Sequence, residues 1–340
     1  MAKDLDWGNL PFDYVQTDYS FVANYKDGKW DEGTLTKDHS ITLNECACVF
    51  QYAQTCFEGL KAYTTSDGKI VTFRPDLNAD RMADSCARLE MPVFPKDKYI
   101  KAVLDVVKAN IDWVPPYGSG AQLYIRPYMF GSNAVIGVKP AAEYQFRILV
   151  TPVGPYFKGG VKPIKVRISD RDRAAPHGTG DIKAGLNYAM SLGNIMDAHR
   201  QGYAENIYLD PASHTYIEET GGANILCITK EGKLITPKSN SILPSITRRS
   251  LLVVAKEYLG LEVEERQISK EELADMKEIG LCGTAAVISP IGQIDDHGKS
   301  IMIPSGMDNI GPVLGKLRET LTGIQMGTEK APEGWVVEIK

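Results

Sequence analysis

The chain has 340 residues, a length that allows about two domains. Hydrophobic residues make up 43% and charged residues 24%, an ordinary globular balance that argues against disorder or a low-complexity fibre. The net charge is −5 and no basic block stands out, which speaks against nucleic acid or an anionic membrane as the main partner. No run near 18 apolar residues occurs, so no transmembrane helix is expected. The opening MAKDLDWGNLPF has no apolar stretch of the secretory kind. The expectation is a cytoplasmic protein.

Six cysteines stand at 46, 48, 56, 86, 227 and 282, with no second pair and histidine at zinc-like spacing. They read as buried thiols in a reducing compartment. The five histidines form no HExxH or similar cluster, so no metal site is expected.

In chain order, residues 20–25 read as a strand, followed by the turn Lys26-Asp27-Gly28-Lys29. A short helix is expected over 49–57, stopping near Gly59. Residues 61–65 and 70–74 make a hairpin across Ser66-Asp67-Gly68. Asp76 suits the cap of a helix that turns Met82, Cys86 and Leu89 inward. A second helix carries Tyr99, Val103, Val106, Val107 and Ile111 at helical spacing and ends before Pro115-Pro116. Residues 122–129 and 144–151 look like buried strands, rich in aromatic and β-branched side chains. Two prolines and three glycines between Pro152 and Gly160 make the most linker-like stretch of the chain. It divides a smaller domain over 1–152 from a larger one over 163–340, with a connection at 153–162. Beyond it come a strand at 164–169, a glycine-punctuated loop at 178–185, and a helix with Leu192, Ile195, Met196 and His199 on one face. Asn187 is its candidate cap and Gly202 its stop. Strands at 206–209, 215–219 and 224–229 alternate with turns. A helix over 247–259 buries Leu251, Leu252, Ala255 and Tyr258. Ser269-Lys270-Glu271-Glu272 is a capping box. A strand at 285–289 and a helix near 310–322 follow. Hairpins dominate over βαβ units, so the class is α+β.

Several segments suit chemistry. Gly178 to Tyr188 holds one lysine, Lys183, among glycines that let a backbone approach a bound group. A deprotonated lysine amine attacks carbonyls; a solvated lysine on a surface loop is the ordinary alternative. Glu219 ends a strand beside Thr220-Gly221-Gly222, where a carboxylate could face a ring nitrogen or water. At Leu243 to Arg249 a helix begins, with hydroxyls and arginines that suit a phosphate or a plain cap. Gly283-Thr284-Ala285-Ala286 offers backbone donors in a tight turn. Arg74 and Arg81 lie near another helix start and suit a phosphate or local pairing. Tyr124 and Arg126 share one face of a strand, where the arginine needs a substrate carboxylate or a structural partner.

Taken together, DIKAGLNY, ETGGAN at 219–224, LPSIT, CGTAA, FRPDLNADRM, LYIRP and QTCFEGLKAY stand in the order and spacing of the branched-chain aminotransferases. The chain resembles these fold-type IV pyridoxal-phosphate enzymes from about Tyr19 to Trp335. The resemblance implies a small α/β N-terminal domain, a larger pseudo-barrel domain, and pyridoxal 5'-phosphate as cofactor. Lys183 then matches the Schiff-base lysine, Tyr188 the tyrosine on the phenolic oxygen, Glu219 the carboxylate on the pyridine nitrogen, and Arg81 the arginine on the phosphate. Ile246, Thr247 and Thr284 match the other phosphate ligands. Tyr124, Arg126 and Ala285 match the substrate-carboxylate end, and Tyr52 and Phe57 the apolar pocket. A loop from a partner subunit completes that pocket in the family, which implies a homodimer.

The implied reaction moves the amino group of L-leucine, L-isoleucine or L-valine to 2-oxoglutarate, with Lys183 as the base for the α-proton. Two features depart from family patterns. Ala286 and Ser289 stand where mammalian members carry a redox Cys-x-x-Cys, and Gly222 stands where some members have threonine. A D-amino acid aminotransferase, an aminodeoxychorismate lyase, a silent relative and a lysine aldolase are the rival readings. The LYIRP and FEGLKAY segments favour the branched-chain branch over the first two. Lys183, Tyr188 and Glu219 together argue against the third, and the phosphate-binding set with Glu219 against the fourth.

Overall fold

The computed structural model describes residues 3–154 and 160–340. Its contacts divide the chain into one unit of Met1–Tyr156, Ile182–Leu186 and Gly323–Lys340, and a second of Phe157–Asp181 and Asn187–Thr322. Two segments therefore leave a division drawn simply along the chain. Ile182–Leu186 joins the first unit because Ala184 bridges Cys56 and the Lys183 carbonyl accepts from the Phe57 N–H at 3.1 Å. The C-terminal strand Val336–Glu338 joins it by pairing with Ile70–Phe73. Residues 155–159 of the expected connection lie outside the described residues.

The first unit is built on a nine-stranded sheet. Its centre is the antiparallel pair Gln122–Gly131 and Tyr144–Val153, in register from Gln122 opposite Val153 to Gly131 opposite Tyr144. Leu60–Thr64 and Thr55–Phe57 pair with the first of these and Ser20–Lys26 with the second. Two helices, Pro75–Arg88 and Lys96–Ala109, belong to the same core. Val103, Val106 and Val107 are wholly buried, each stabilising the fold by about 1.5–3 kcal/mol. Phe94 stacks on Phe146 at 4.2 Å between ring centroids.

Three local expectations change here. The helix expected to reach Phe57 is only Cys48–Tyr52, because Ala53 turns left-handed at φ 51° and Thr55–Phe57 extends into the sheet. Asp76 is not a cap: Arg74 takes that place at φ 48°, Pro75 starts the helix, and Asp76 faces the positive end of the helix dipole. Ile111 is exposed, since the helix ends at Ala109 and a 3-10 turn carries Ile111 outward.

The second unit contains a barrel-like ring of six strands. Ile164–Ile168 runs parallel to Glu205–Leu209 and to Val287–Asp296. Val287–Asp296, Glu278–Gly283 and Asn224–Ile228 continue antiparallel. Ile217–Thr220 pairs with Glu205–Leu209 on one side and, through Glu219 opposite Asn224, closes the ring on the other. Val166, Ile207, Ile225, Ile279, Ile291 and Ile294 form its fully buried centre. Mixed sheets, mostly antiparallel and joined with helices in two units, make the protein an α+β fold.

The helix Gly185–Arg200 turns apolar side chains outward. Leu192 and Met196 are exposed, while Asn187, Ser191, Asn194 and Ala198 are buried. Polar groups can be buried where each finds a partner. Asn194 donates to the Ser169 hydroxyl at 2.7 Å and to the Tyr208 hydroxyl at 3.1 Å. Asn187 lies two residues inside the helix and is no cap; its amide binds the Thr179 carbonyl at 2.7 Å and so fastens the glycine loop. The helix Ile246–Glu257 leaves Leu252 and Tyr258 half-buried, and the capping box at Ser269 serves a 3-10 turn, Lys270–Asp275.

Candidate active site

In the first unit the short strand Thr55–Phe57 and the helix Pro75–Arg88 hold Lys183 from two sides. Phe57 N–H donates to the Lys183 carbonyl, and the buried Ser85 hydroxyl accepts the Lys183 N–H at 3.1 Å. The backbone of the lysine is thereby fixed, and its Nζ lies 4.6 Å from the centre of the Phe57 ring. The Arg126 guanidinium lies 4.7 Å from the same ring. Arg126 also donates to the Tyr124 hydroxyl through Nε at 3.3 Å and Nη2 at 3.1 Å. The two residues do share a strand face, and Arg126 finds aromatic and hydroxyl partners there. Gly59 is required beneath them, since a Cβ at that position would stand 2.3 Å from the Tyr124 hydroxyl. Phe12, Tyr14 and Thr151 join Tyr124 and Arg126 around a cavity of about 280 Å³. Tyr52 ends its helix, partly exposed, with its hydroxyl against the Ile136 carbonyl.

Arg81 is buried and bound to Glu58, whose side chain has no exposed surface. Nε donates to Oε1 at 2.8 Å and Nη2 to Oε2 at 2.7 Å, a two-pronged pair. Asn78 donates to the same Oε2 at 2.7 Å. Glu58 escaped the sequence reading, although it lies inside QTCFEGLKAY. A carboxylate between apolar neighbours was its only signal.

In the second unit Glu219 is 3% exposed. Its Oε1 accepts the Leu243 N–H at 2.8 Å and its Oε2 the Asn224 amide at 2.7 Å. Nη2 of the buried Arg173 stands 2.6 Å from Oε1. Loss of solvent pushes the Glu219 carboxyl up to about 7; the Arg173 charge works against that shift without cancelling it. Burial raises the neighbouring Glu218 as well. Arg173 and Asn224 were not singled out in the sequence. Arg173 sits in an Arg-Asp-Arg run that reads like any solvated loop.

Other expected residues lie in the same unit. Asn224 pairs with Glu219 on one side and with Cys282 on the other, so the strand carrying Cys282 leads directly to Thr284 and Ala285. The turn Thr284–Ala286 returns through Val287 at φ 63°. A β-branched residue there stores about 1–3 kcal/mol of strain, a mark of functional backbone. The helix Ile246–Glu257 begins at the buried Ile246 and Thr247, and Ser245 accepts the Arg248 N–H at 3.1 Å. The N–H groups of its first turn have no partner within the helix and favour an anion. Tyr188 is half-buried in the first turn of the helix Gly185–Arg200. Cys282 is buried and its thiol is pushed up to about 12, which leaves it unreactive. A larger cavity of about 530 Å³, lined by Arg167, Asp197, Tyr203 and His297 among others, includes none of the expected site residues. Among the described residues no three His, Cys, Asp or Glu side chains could hold a metal, and no helix is long and apolar enough to cross a membrane.

Residues 55–294 match the family described as amino-transferase class IV. The branched-chain-amino-acid aminotransferase of Haemophilus influenzae is 52% identical over 343 residues, covering 99% of this chain and 100% of that protein. Among solved structures, the branched-chain amino acid aminotransferase of Escherichia coli superposes with a TM-score of 0.81 at 30% identity, over 96% of this chain and 100% of that one. The enzyme of Thermobaculum terrenum, solved in its PLP form, gives 0.79 at 26% identity over 95% and 99%. On this similarity along its whole length, the chain belongs to the class IV aminotransferases, and within them to the branched-chain-amino-acid aminotransferases.

Proposed function

We propose that the chain transfers the amino group of L-leucine, L-isoleucine or L-valine to 2-oxoglutarate with pyridoxal 5'-phosphate as cofactor, through the residues expected from the sequence. The donor set suits that group. A buried carboxylate matches a protonated ring nitrogen, and a helix start bearing Thr247 matches a phosphate. Arg81, Ile246, Thr247 and Thr284 would hold the phosphate, Tyr188 the phenolic oxygen and Glu219 the ring nitrogen. Glu58 orients Arg81 for its part by engaging Nε and Nη2. Tyr124, Arg126 and Ala285 would hold the substrate carboxylate end, with Tyr52 and Phe57 against the branched side chain. Arg126, beside an aromatic ring, also suits the second carboxylate of 2-oxoglutarate. Lys183 Nζ takes the α-proton of the bound amino acid. When bound, the cofactor supplies an electron sink for the carbanion that remains.

The observation that carries this reading is Glu219: a nearly unexposed carboxylate, built into hydrogen bonds, at a position where a second cation relieves its burial. Replacing Lys183 by alanine should abolish transamination while circular dichroism stays unchanged. Turnover near the wild-type level in that variant refutes the mechanism. In the wild type, L-leucine should bleach the visible band of the bound cofactor and D-alanine should not.

A homodimer belongs to the same reading. Ile136 and Val138 are 77% and 87% exposed on one loop, and Met190, Leu192 and Met196 are exposed along a helix, apolar surface of the kind a second copy covers. Sedimentation at micromolar concentration tests it, and a monomer refutes it. Six free cysteines suit a reducing cytoplasm.

A further inference from the structure

Arg173 is 6% exposed and faces three oxygens with one nitrogen. Nη2 donates to the Gly180 carbonyl and to the Ser241 carbonyl, both at 2.6 Å, and stands 2.6 Å from Glu219 Oε1. Both N–H bonds of that nitrogen are thus used on carbonyls, so its contact with Glu219 is one of charge. Its Nε is buried with no hydrogen-bond partner among the described residues. Gly180 is required by this arrangement: a Cβ there would lie 2.3 Å from the Ser241 carbonyl and 3.0 Å from the guanidinium. The donors to Glu219, the Leu243 N–H and the Asn224 amide, are neutral. Glu218, adjacent in sequence, is a second buried carboxylate and is held by Ser239 at 2.6 Å. Arg248 is the other nearby cation, and it is committed to the Pro237 carbonyl at 3.0 Å and to Glu265 at 3.6 Å. Arg173 is therefore the one cation in contact with Glu219 among the described residues.

We propose that Arg173 is a positioning residue of the cofactor site, holding Glu219 as an oriented carboxylate so that the proton it shares with the cofactor's ring nitrogen stays on the nitrogen. The inference rests on the reading of Glu219 given above. A proton between a carboxylate and a pyridine nitrogen has two places, and a cation 2.6 Å from the carboxylate favours the arrangement in which the carboxylate is charged. Without that cation, burial among neutral donors drives the proton onto Glu219. The same side chain also fastens the loop at Gly180 to the loop at Ser241, so the electrical and the mechanical roles must be separated.

The test is the ¹⁵N chemical shift of ring-labelled pyridoxal phosphate in the holoenzyme, beside its dissociation constant. Wild type should show a protonated nitrogen, and Glu219→Gln an unprotonated one. Arg173→Gln should move toward the unprotonated shift, with kcat roughly tenfold lower for each pKa unit lost and KM for L-leucine unchanged. Arg173→Lys keeps a charge and should restore protonation; it also decides the matter if Arg173→Gln does not fold, since an unprotonated nitrogen there overturns the proposal. In the Glu219→Gln background, Arg173→Gln should add nothing. A nitrogen still fully protonated in Arg173→Gln, while Glu219→Gln loses the proton, makes Arg173 a fastener of loops only. If Glu219→Gln leaves the shift untouched, the reading of Glu219 itself fails.

Discussion

Burial of Glu219 makes the cofactor-free protein less stable as the pH rises, and the size of the effect follows from the structure. The carboxyl titrates near 7 in the fold against an ordinary 4.5, because desolvation outweighs the Arg173 charge. A carboxyl raised in the folded state binds its proton more tightly there than in the unfolded chain. Its contribution is complete below pH 4.5 and is lost as the pH climbs through 7. By linkage, the loss is about 3 kcal/mol in all, and most of it falls between pH 5 and pH 8. Glu219→Gln cannot titrate, and its amide oxygen can still accept the Leu243 N–H. The stability difference between wild type and variant should therefore change by about 2–3 kcal/mol between those pH values. All four tryptophans, at 7, 30, 113 and 335, lie in the first unit, so fluorescence does not follow this region. Hydrogen exchange read by mass spectrometry on peptides spanning Asn224–Ile228 does. Comparing both proteins at each pH cancels the intrinsic exchange rate, and protection should diverge by about one to two orders of magnitude. With pyridoxal phosphate bound the slope should disappear, since the ring nitrogen neutralises the carboxylate. A wild-type-to-variant difference that stays flat from pH 5 to pH 8 in the cofactor-free protein refutes the argument.

Two substitutions in the first unit carry further expectations. Glu58→Gln leaves the Arg81 guanidinium buried without its counter-charge and should cost about 3–5 kcal/mol; tryptophan fluorescence in urea reports it, and a loss below about 1 kcal/mol contradicts the buried pair. Gly59→Ala would place a methyl group 2.3 Å from the Tyr124 hydroxyl, forcing Tyr124 and with it Arg126 to move. KM should rise for both L-leucine and 2-oxoglutarate, with a stability loss of about 1–3 kcal/mol. Unchanged KM values for both substrates would remove Tyr124 and Arg126 from substrate binding.

Local chemistry made much of this protein legible in advance. Aromatic and β-branched side chains mark 122–129 and 144–151 as buried strands, and these form the central pair of the first sheet. Helical spacing marks Met82, Cys86, Val103 and Val107 as core, and the structure buries all four. The motifs around Lys183, Glu219 and Thr247 resemble those of the family whose model matches residues 55–294. Only the tertiary structure decided the rest. Spacing put Leu192 and Met196 on one face of the helix Gly185–Arg200 without deciding which face is buried; hydrogen bonds from Asn187 and Asn194 turn the polar face onto the protein. Such partners lie far along the chain and leave no periodic signal. Glu58 and Arg173 stayed invisible for the same reason: a charged residue in a sequence looks solvated until its counter-charge is known. Arg81 lies 23 residues from Glu58, a separation that no pattern of apolar residues encodes. The ring that sets Glu219 beside Asn224 and Cys282 closes through one pairing between strands, and only the folded chain brings those strands together.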